Sequence, residues 1–345
     1  MTHQVTRTGA AAAECRLLER SKQFSRLACI EHVGNDAVSL FDVVQCHVCV
    51  DGNGDEMRVF LASRIPDPES RVNHEARDVS IDSESTARMT GHAPVDGIRM
   101  YYEVHGPTGG VPLVLLHGGG STIDVTFAKV LPIFARSRPV IALEEQGHGR
   151  TSDRDRPVRF ETSADDVTGT LRHLGVARAD ILGFSNGASV GLQVAIRHPE
   201  LVRRLVFASA MTRKDGARPE LWQFMETADF SNMPPPLKDA FLRVNPDPQK
   251  LRVMHDKDAE RMRRFEDVPD ALLKEVRASV LVVIGDQDIV KPEHALELQR
   301  QIAGARLLVL PAGHGDYIGE AVMTQAESRY PELVAGLIEQ FLDGA

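Results

Sequence analysis

Three polar residues in the second half of the chain have the types and the order that hydrolysis through a serine nucleophile requires. Ser185 is the central residue of the segment Gly-Phe-Ser-Asn-Gly at 183–187, and Asp288 and His314 follow it in the sequence. A serine hydroxyl is a weak nucleophile unless a base takes its proton and a third group orients that base. The three residues therefore predict acyl transfer through a serine, a histidine and a carboxylate.

The sequence around Ser185 predicts a sharp turn between a strand and a helix. A short apolar run at 180–182 is typical of a buried strand, and the apolar spacing at 188–198 is typical of a helix. Such a turn strains its central residue and needs glycine two positions before and two positions after it. The turn exposes the serine hydroxyl at a helix N-terminus, where the dipole stabilises negative charge. A glycine-rich turn that merely contains a serine is the alternative, and the flanking elements favour the nucleophile.

The carboxylate and the histidine each follow a predicted strand. Asp286 and Asp288 come directly after the apolar run 280–284, and His314 comes shortly after the run 307–310. In open sheets of this kind, functional groups collect at the carboxyl ends of the strands. Both aspartates are therefore candidates for the group that orients the histidine.

From residue 92 onward, strand and helix patterns alternate, which predicts a mostly parallel sheet with helices on both faces. An Asp-Gly pair at 96–97 predicts a hairpin within 93–105. Further strands are predicted at 111–116, 139–143, 180–182, 205–207, 280–284 and 307–310, and helices at 162–174, 188–198 and 293–302. This pattern indicates an α/β architecture but names no reaction.

One long segment interrupts this alternation. Almost seventy residues separate the strand that ends near Ser209 from the strand that begins near Ala278, far more than a normal crossover needs. Because this segment is rich in methionine and phenylalanine, we expect a helical cap at about 211–276. Most of its apolar side chains should pack together, and a minority should line a pocket.

Residues 1–88 differ in composition from the rest of the chain. Their apolar groups are short, and the end of the segment has the composition of a linker. We expect a poorly ordered extension, with a short strand or helix around 38–50, followed by one domain at 89–345. Met89 is a candidate translation start for that domain. Cys46 and Cys49 have a C-x-x-C spacing, but a second ligand pair is weak, so incidental thiols are favoured over zinc.

Composition limits the class of partner. The 345 residues include 40 basic and 49 acidic side chains, a formal net charge of −9, and 42% are hydrophobic. There is no basic stripe for nucleic acid, no apolar run long enough to span a membrane and no secretory signal. We expect a cytoplasmic protein, monomeric or homodimeric, that acts on a small molecule.

From Met89 to its end, the chain resembles the α/β-hydrolases that carry a helical cap. The turn around Ser185, the Gly-Asp-x-Asp segment at 285–288 and the late Gly-His at 313–314 occur in the family's order. The resemblance implies an α/β-hydrolase fold with a mostly parallel sheet flanked by helices. It also implies that Asp288, rather than Asp286, is the acid, and that His314 is the base.

The resemblance extends to the oxyanion hole, for which backbone N–H groups are needed. One donor would be the N–H of Asn186, directly after the nucleophile. The segment His-Gly-Gly-Gly at 117–120 resembles the corresponding loop of esterases and lipases, which implies Gly119 as the second donor, with Gly118 or Gly120 as alternatives. His117 would orient this loop. Gln146 occupies a position where the family usually has arginine, which puts a local ion pair in doubt.

The function that this resemblance implies is a serine hydrolase of the carboxylesterase type. It would cleave small to medium carboxylic esters through an acyl-enzyme, with no cofactor and no metal. A C–C bond hydrolase or a lactonase of the same fold is the alternative, because both use the same three residues. A ligand receptor that keeps the fold without turnover is a further, less favoured alternative.

Overall fold

The structure is a computed structural model that describes residues 89–322 and 328–344, together with the backbone of six short strands within the first 61 residues. The chain divides into two compact units, Met1–Asp82 and Ser83–Ala345. Each unit is described by itself below.

The first unit contains six antiparallel strands. Four of them form one sheet in the order β1-β2-β3-β4, and two form a hairpin, β5-β6: β1 Thr2–Val5, β2 Ala13–Leu17, β3 Leu27–His32, β4 Val38–Ser39, β5 Cys46–Val50 and β6 Met57–Leu61. At 38–50, where a short strand or helix was expected, the structure has the strands β4 and β5. The predicted poor order of the rest of 1–88, and the thiol groups of Cys46 and Cys49, lie outside the described residues.

The second unit is built on an eight-stranded sheet. Its strands are β7 Met89–Val95, β8 Ile98–His105, β9 Leu113–Leu116, β10 Val140–Leu143, β11 Ala179–Phe184, β12 Val202–Ala208, β13 Ser279–Gly285 and β14 Arg306–Leu310. Their order across the sheet is β14-β13-β12-β11-β9-β10-β8-β7. All pairs are parallel except those that β8 forms with β7 and with β10. The predicted mostly parallel sheet is confirmed.

The turn between β7 and β8 shows how the sequence fixes a register. Asp96 and Gly97 both have positive φ, at 40° and 78°, as a two-residue hairpin turn requires. Val95 consequently pairs with Ile98.

Ten helices accompany this sheet: α1 Ile123–Phe127, α2 Leu131–Phe134, α3 Phe160–His173, α4 Asn186–Arg197, α5 Pro219–Glu226, α6 Pro235–Val244, α7 Pro248–Arg263, α8 Asp270–Lys274, α9 Pro292–Gln301 and α10 Tyr330–Asp343. The buried apolar residues of α3, α4 and α9 belong to one core cluster, and those of α1, α2 and α10 belong to a second. The sheet therefore separates two apolar layers, each formed by burial of one helix face.

The segment between β12 and β13 is helical, as predicted, and contains α5–α8. It has a small core of its own around Phe241, which is fully buried together with Met233, Leu251 and Met254. Helix α5 differs from the other insertion helices because none of its residues is buried, and the side chain of Phe224 is 45% exposed.

Candidate active site

Ser185 lies at the sharp turn between β11 and α4. Its φ of 54° and ψ of −122° place it in a region that costs a residue with a side chain about 1–3 kcal/mol. A Cβ on Gly183 would lie 2.5 Å from the Cα of Ala188, and a Cβ on Gly187 would lie 2.5 Å from the carbonyl oxygen of His117. Only glycine fits at these two positions, so the predicted strained turn is present.

His314 lies beside the nucleophile. It follows β14, and its Nε2 is 3.2 Å from the Oγ of Ser185. Its ring packs against Phe184, with 4.9 Å between the ring centroids. Gly315 has a φ of 87°, and a Cβ there would lie 2.8 Å from the ring of Phe184. The glycine after His314 therefore allows the imidazole to approach the turn.

Asp288 holds the other side of the imidazole. Its Oδ1 is 2.7 Å from the Nδ1 of His314 and accepts a hydrogen bond from the backbone N–H of Val290 at 3.1 Å. Because a carboxylate only accepts, Nδ1 carries the proton and Nε2 is free to accept from Ser185. Burial raises the pKa of Asp288, but the charge of His314 and the hydrogen bonds that the carboxylate accepts outweigh it, so the pKa lies below its ordinary value.

Two further groups lie behind Asp288, and they were not identified from the sequence. The hydroxyl of Ser209 donates to Oδ2 of Asp288, and Oγ of Ser209 lies 2.6 Å from the hydroxyl of Tyr317. Since the proton of Ser209 is used on the carboxylate, Tyr317 must be the donor in the second bond. Burial, and then the charge of Asp288, raise the pKa of Tyr317 well above its ordinary value. Ser209 directly follows β12, so the strand-end argument that made Asp286 and Asp288 candidates could have found it.

Asp286, the competing aspartate, does not reach His314. Its side chain is exposed, and its Oδ1 accepts a hydrogen bond from the backbone N–H of Ala312 at 3.1 Å. This contact ties the turn after β13 to the turn after β14. Asp286 therefore stabilises the turns beside the site and does not orient His314.

Asn186 and Gly119 face the same cavity as Ser185. The N–H of Asn186 is in the first turn of α4, where no carbonyl of the helix is available to it. Within the described part of the chain, the N–H of Gly119 has no acceptor, whereas that of Gly118 donates to the hydroxyl of Thr126 at 3.4 Å. Of the first two glycines of the loop, Gly119 is thus the one with a free donor.

His117 orients the loop that contains Gly119. It is fully buried, its Nδ1 is 2.8 Å from the carbonyl oxygen of Gly118, and its Nε2 accepts from the backbone N–H of Glu145 at 3.1 Å. Burial, reinforced by the nearby His148, lowers the pKa of His117 to about 4. The ring is therefore neutral at pH 7 and joins the loop after β9 to the loop after β10.

Gln146, an uncharged residue at the position where an ion pair was in doubt, forms hydrogen bonds to two charged side chains. Its amide nitrogen donates to Asp153 at 2.7 Å, and its amide oxygen accepts from Arg156 at 2.6 Å. The position still links two parts of the same loop, without a charge of its own.

A buried charge cluster connects helix α7 to the loop after β10. Arg261 of α7 donates through Nη1 to Glu145 at 2.7 Å and through Nη2 to Asp258. The amide of Asn186 in turn donates to Oδ1 of Asp258 at 3.4 Å. Burial raises the pKa of Glu145, but Arg261 outweighs it and the pKa falls to about 2. This cluster was not predicted from the sequence, although Asp258 and Arg261 have the i, i+3 spacing of a helix face.

The cavity above Ser185 has a volume of about 220 Å³. Most of its lining is apolar and comes from the insertion, including Leu221, Phe224, Met225, Met233, Leu237 and Met262. The polar lining includes Asp258 and His255 of α7. None of the described residues that line it is lysine or arginine.

The described residues contain no group of three or more histidine, cysteine, aspartate or glutamate side chains that could hold a metal ion. Among the helices within this part of the chain, none combines the length and the apolar character needed to cross a bilayer.

Residues 111–264 match the family model of the alpha/beta hydrolase fold. Among solved structures, a hydrolase from Pseudomonas aeruginosa PA01 is 26% identical, with a TM-score of 0.57, and the alignment covers 75% of this chain and 100% of that one. The chain belongs to the α/β-hydrolase fold superfamily. The fold predicted from the sequence is confirmed.

Relatives within the α/β-hydrolases differ in the reaction that their names state. A putative carbamate hydrolase of Caulobacter vibrioides, RutD, is 34% identical over 35% of this chain and 45% of its own length. A 2-hydroxymuconate semialdehyde hydrolase of Pseudomonas sp. strain CF600 is 38% identical over 32% and 39%. A pimeloyl-[acyl-carrier protein] methyl ester esterase of Neisseria meningitidis is 26% identical over 66% and 77%. The chain thus spans less than half the length of the first two.

Proposed function

We propose that this α/β-hydrolase is a serine hydrolase that cleaves small to medium carboxylic esters through an acyl-enzyme. The observation that carries the proposal is the continuous chain from Ser185 through His314 to Asp288, with distances of 3.2 Å and 2.7 Å. The hydroxyl, the imidazole and the carboxylate are each within reach of the next group, and the tautomer of His314 suits a general base.

In the proposed reaction, His314 takes the proton of Ser185 as Oγ attacks the ester carbonyl. The N–H groups of Gly119 and Asn186 stabilise the oxyanion of the tetrahedral intermediate. His314 then gives its proton to the leaving alcohol. A water molecule, deprotonated by His314, attacks the acyl-enzyme and releases the acid. Asp288 keeps the imidazole oriented and stabilises the imidazolium that forms.

The lining of the cavity supports an uncharged substrate. Apolar side chains dominate the lining. Among the described lining residues, Asp258 is the one aspartate, and there is no glutamate, lysine or arginine. A substrate with its own carboxylate would meet repulsion and no basic partner in such a site. An uncharged ester is therefore favoured over the acidic products of ring cleavage. In this proposal the insertion α5–α8 acts as a cap that supplies the apolar lining.

The test is hydrolysis of a panel of p-nitrophenyl esters and of lactones by the wild-type chain, Ser185→Ala and Ser231→Ala. Ser231 is an exposed serine of the insertion, so its variant is the matched control. We expect Ser185→Ala to lose at least about 10⁴-fold in kcat/KM for esters while Ser231→Ala retains it. A fluorophosphonate should add one adduct to the wild-type chain and to Ser231→Ala, but none to Ser185→Ala.

The panel also separates the alternatives. Full ester hydrolysis by Ser185→Ala would show that Ser185 is not the nucleophile. Faster turnover of lactones than of open esters would favour a lactonase. Stable binding of an ester without release of p-nitrophenol would favour a receptor.

A further inference from the structure

One carboxylate oxygen at the cavity has no partner. Asp258 is 8% exposed and lines the cavity above Ser185. Its Oδ1 accepts from Arg261 and from Asn186. Its Oδ2 accepts no hydrogen bond from any residue that the structure describes, and Nε2 of His148 is 4.0 Å away from it. Because Asp258 is largely buried, a donor that enters the cavity is the group able to pair with this oxygen.

His148 is not the missing donor. Its Nδ1 lies 3.0 Å from the carbonyl oxygen of Gln146, which can only accept, so Nδ1 carries a proton. Its Nε2 is 4.0 Å from Oδ2 of Asp258, which is too far for a hydrogen bond. His148 therefore does not satisfy Oδ2.

The charge of Asp258 is not needed to balance Arg261. Glu145 already forms an ion pair with Arg261 at 2.7 Å, and the exposed fraction of both side chains is 1%. With Asp258 included, the cluster has two carboxylates and one guanidinium. One negative charge is thus left over, on the member that faces the cavity.

Oδ2 of Asp258 lies next to the loop that would hold the oxyanion. A Cβ on Gly119 would be 2.6 Å from this oxygen and 2.5 Å from the amide nitrogen of Asn186. The carbonyl of a bound ester, with its oxygen at the N–H groups of Gly119 and Asn186, would therefore lie close to this carboxylate.

We propose that Asp258 forms a subsite for a hydrogen-bond donor on the acyl group, a hydroxyl or N–H attached within one or two bonds of the reacting carbonyl. This inference rests on the proposed ester hydrolysis and names its preferred acyl class. A donor at that place satisfies Oδ2 and offsets its charge. An acyl group without a donor leaves the carboxylate unpaired and close to the developing oxyanion, which lowers the rate for that substrate.

The experiment compares ethyl 2-hydroxybutanoate with ethyl 2-fluorobutanoate, followed in a pH-stat for the wild-type chain, Asp258→Asn and Asp256→Asn. Fluorine has about the size of the hydroxyl but no proton to donate. Because it withdraws electrons more strongly, each kcat/KM is divided by the rate constant of that ester for alkaline hydrolysis before the two are compared. Asparagine keeps the shape of Asp258 and an oxygen for Arg261. Asp256 is on the same helix with its side chain 53% exposed, so its variant is the matched control.

For the wild-type chain and Asp256→Asn, we expect kcat/KM for the hydroxy ester to exceed that for the fluoro ester by about 10- to 100-fold, as for a hydrogen bond to a charged group. In Asp258→Asn the ratio should fall to within about threefold, because the fluoro ester gains while the hydroxy ester loses. Because the two rates come from one preparation, their ratio does not depend on the fraction of folded protein.

A wild-type ratio near one, or a ratio that Asp258→Asn leaves unchanged because both rates fall in parallel, would overturn the inference and assign Asp258 a purely structural role. The same series includes Ser185→Ala. If Ser185→Ala is inactive and Asp258→Asn has the same ratio of the two kcat/KM values as the wild-type chain, the subsite is wrong and the proposed function stands. If Ser185→Ala keeps its activity, the proposed function fails and the subsite fails with it.

Discussion

Replacing Ser209 with alanine is expected to lower kcat/KM for ester hydrolysis about tenfold, although Ser209 touches neither Ser185 nor His314 through any described hydrogen bond. Its hydroxyl donates to Oδ2 of Asp288, and Asp288 is fully buried. The variant removes the only described hydrogen bond to that oxygen. The carboxylate then loses one of the contacts that fix its orientation toward His314.

The magnitude follows from the number of contacts that remain. A hydrogen bond to an ionised acceptor contributes about 1.5–3 kcal/mol, which corresponds to about 10- to 100-fold in rate if all of it is lost in the transition state. Oδ1 of Asp288 keeps the N–H of Val290 at 3.1 Å and His314 at 2.7 Å. Since two of the three contacts remain, the effect should be at the lower end of this range.

The pH dependence should change in a defined direction. Ser209 is one of the donors that keep the pKa of Asp288 below its ordinary value, so its loss raises the pKa of Asp288. The proton affinity of the coupled Asp288–His314 pair increases, and the acidic limb of kcat/KM moves to higher pH. A carboxylate with a depressed pKa contributes stability above its unfolded pKa and loses it as the pH falls. The difference in unfolding free energy between variant and wild type should therefore be largest at neutral pH and shrink below about pH 4.

The assay is the pH profile of kcat/KM for p-nitrophenyl butyrate, with Tyr317→Phe as the matched control. That variant removes the hydrogen bond to Ser209 but leaves the donation from Ser209 to Asp288. We expect it to change kcat/KM by less than about threefold, with an unshifted acidic limb. A Ser209→Ala profile that overlays the wild type would refute the positioning role, as would equal effects of the two variants.

Three further perturbations should have distinct outcomes. Gly187→Ala should prevent the chain from folding to a soluble protein, because the new Cβ overlaps the backbone carbonyl groups of Leu116 and His117. Soluble expression and circular dichroism check this. Arg261→Met should lower the unfolding free energy by about 3–5 kcal/mol in urea titrations, because Glu145 and Asp258 stay buried without a cation. Adding Glu145→Gln to this variant should recover part of the lost unfolding free energy. Folding lowers the pKa of His117 from 6.5 to about 4. Between these two pH values the imidazole is protonated in the unfolded chain and neutral in the folded chain. The free energy of unfolding should therefore decrease as the pH falls through this window. His117→Asn should flatten that slope between pH 7 and 5.

Much of the fold could be predicted because the parallel strands contain short, sharply bounded apolar runs and the β7–β8 hairpin has an Asp-Gly turn. The runs at 280–284 and 307–310 correspond to β13, Ser279–Gly285, and β14, Arg306–Leu310. The helices α1 and α2 were missed because they are four or five residues long, too short for a periodic pattern to show. Helix α10 was also missed, although Pro331 is in its first turn.

The site was predictable where chemistry depends on position along the chain, and not where it depends on packing. The strand ends make Ser185, His314 and the two aspartates at 286 and 288 candidates, and the family resemblance selects Asp288. The structure places Ser185, His314 and Asp288 in contact. Tyr317 reaches Ser209 over 108 positions, and Arg261 reaches Glu145 over 116. Such contacts depend on how the insertion and the segment after β14 pack against the sheet, and no local sequence pattern indicates this packing.

Helix α7 connects the insertion to the loops around the candidate active site. Arg261 ties it to Glu145, Asp258 contacts Asn186, and Lys257 forms an ion pair with Asp153 at 2.7 Å. Helix α7, which forms part of the cavity lining, is thus joined to Asn186, the residue after Ser185. Helix α5 has no residue of the buried class, although Leu221, Trp222 and Met225 pack partly buried against the core. Among the described side-chain hydrogen bonds, α5 donates one, from Trp222 to the carbonyl oxygen of Lys214, and none to the candidate active site. Substitutions on α5 should therefore alter acyl-chain preference with little effect on the rate for small esters, whereas substitutions on the buried face of α7 should change selectivity and rate together.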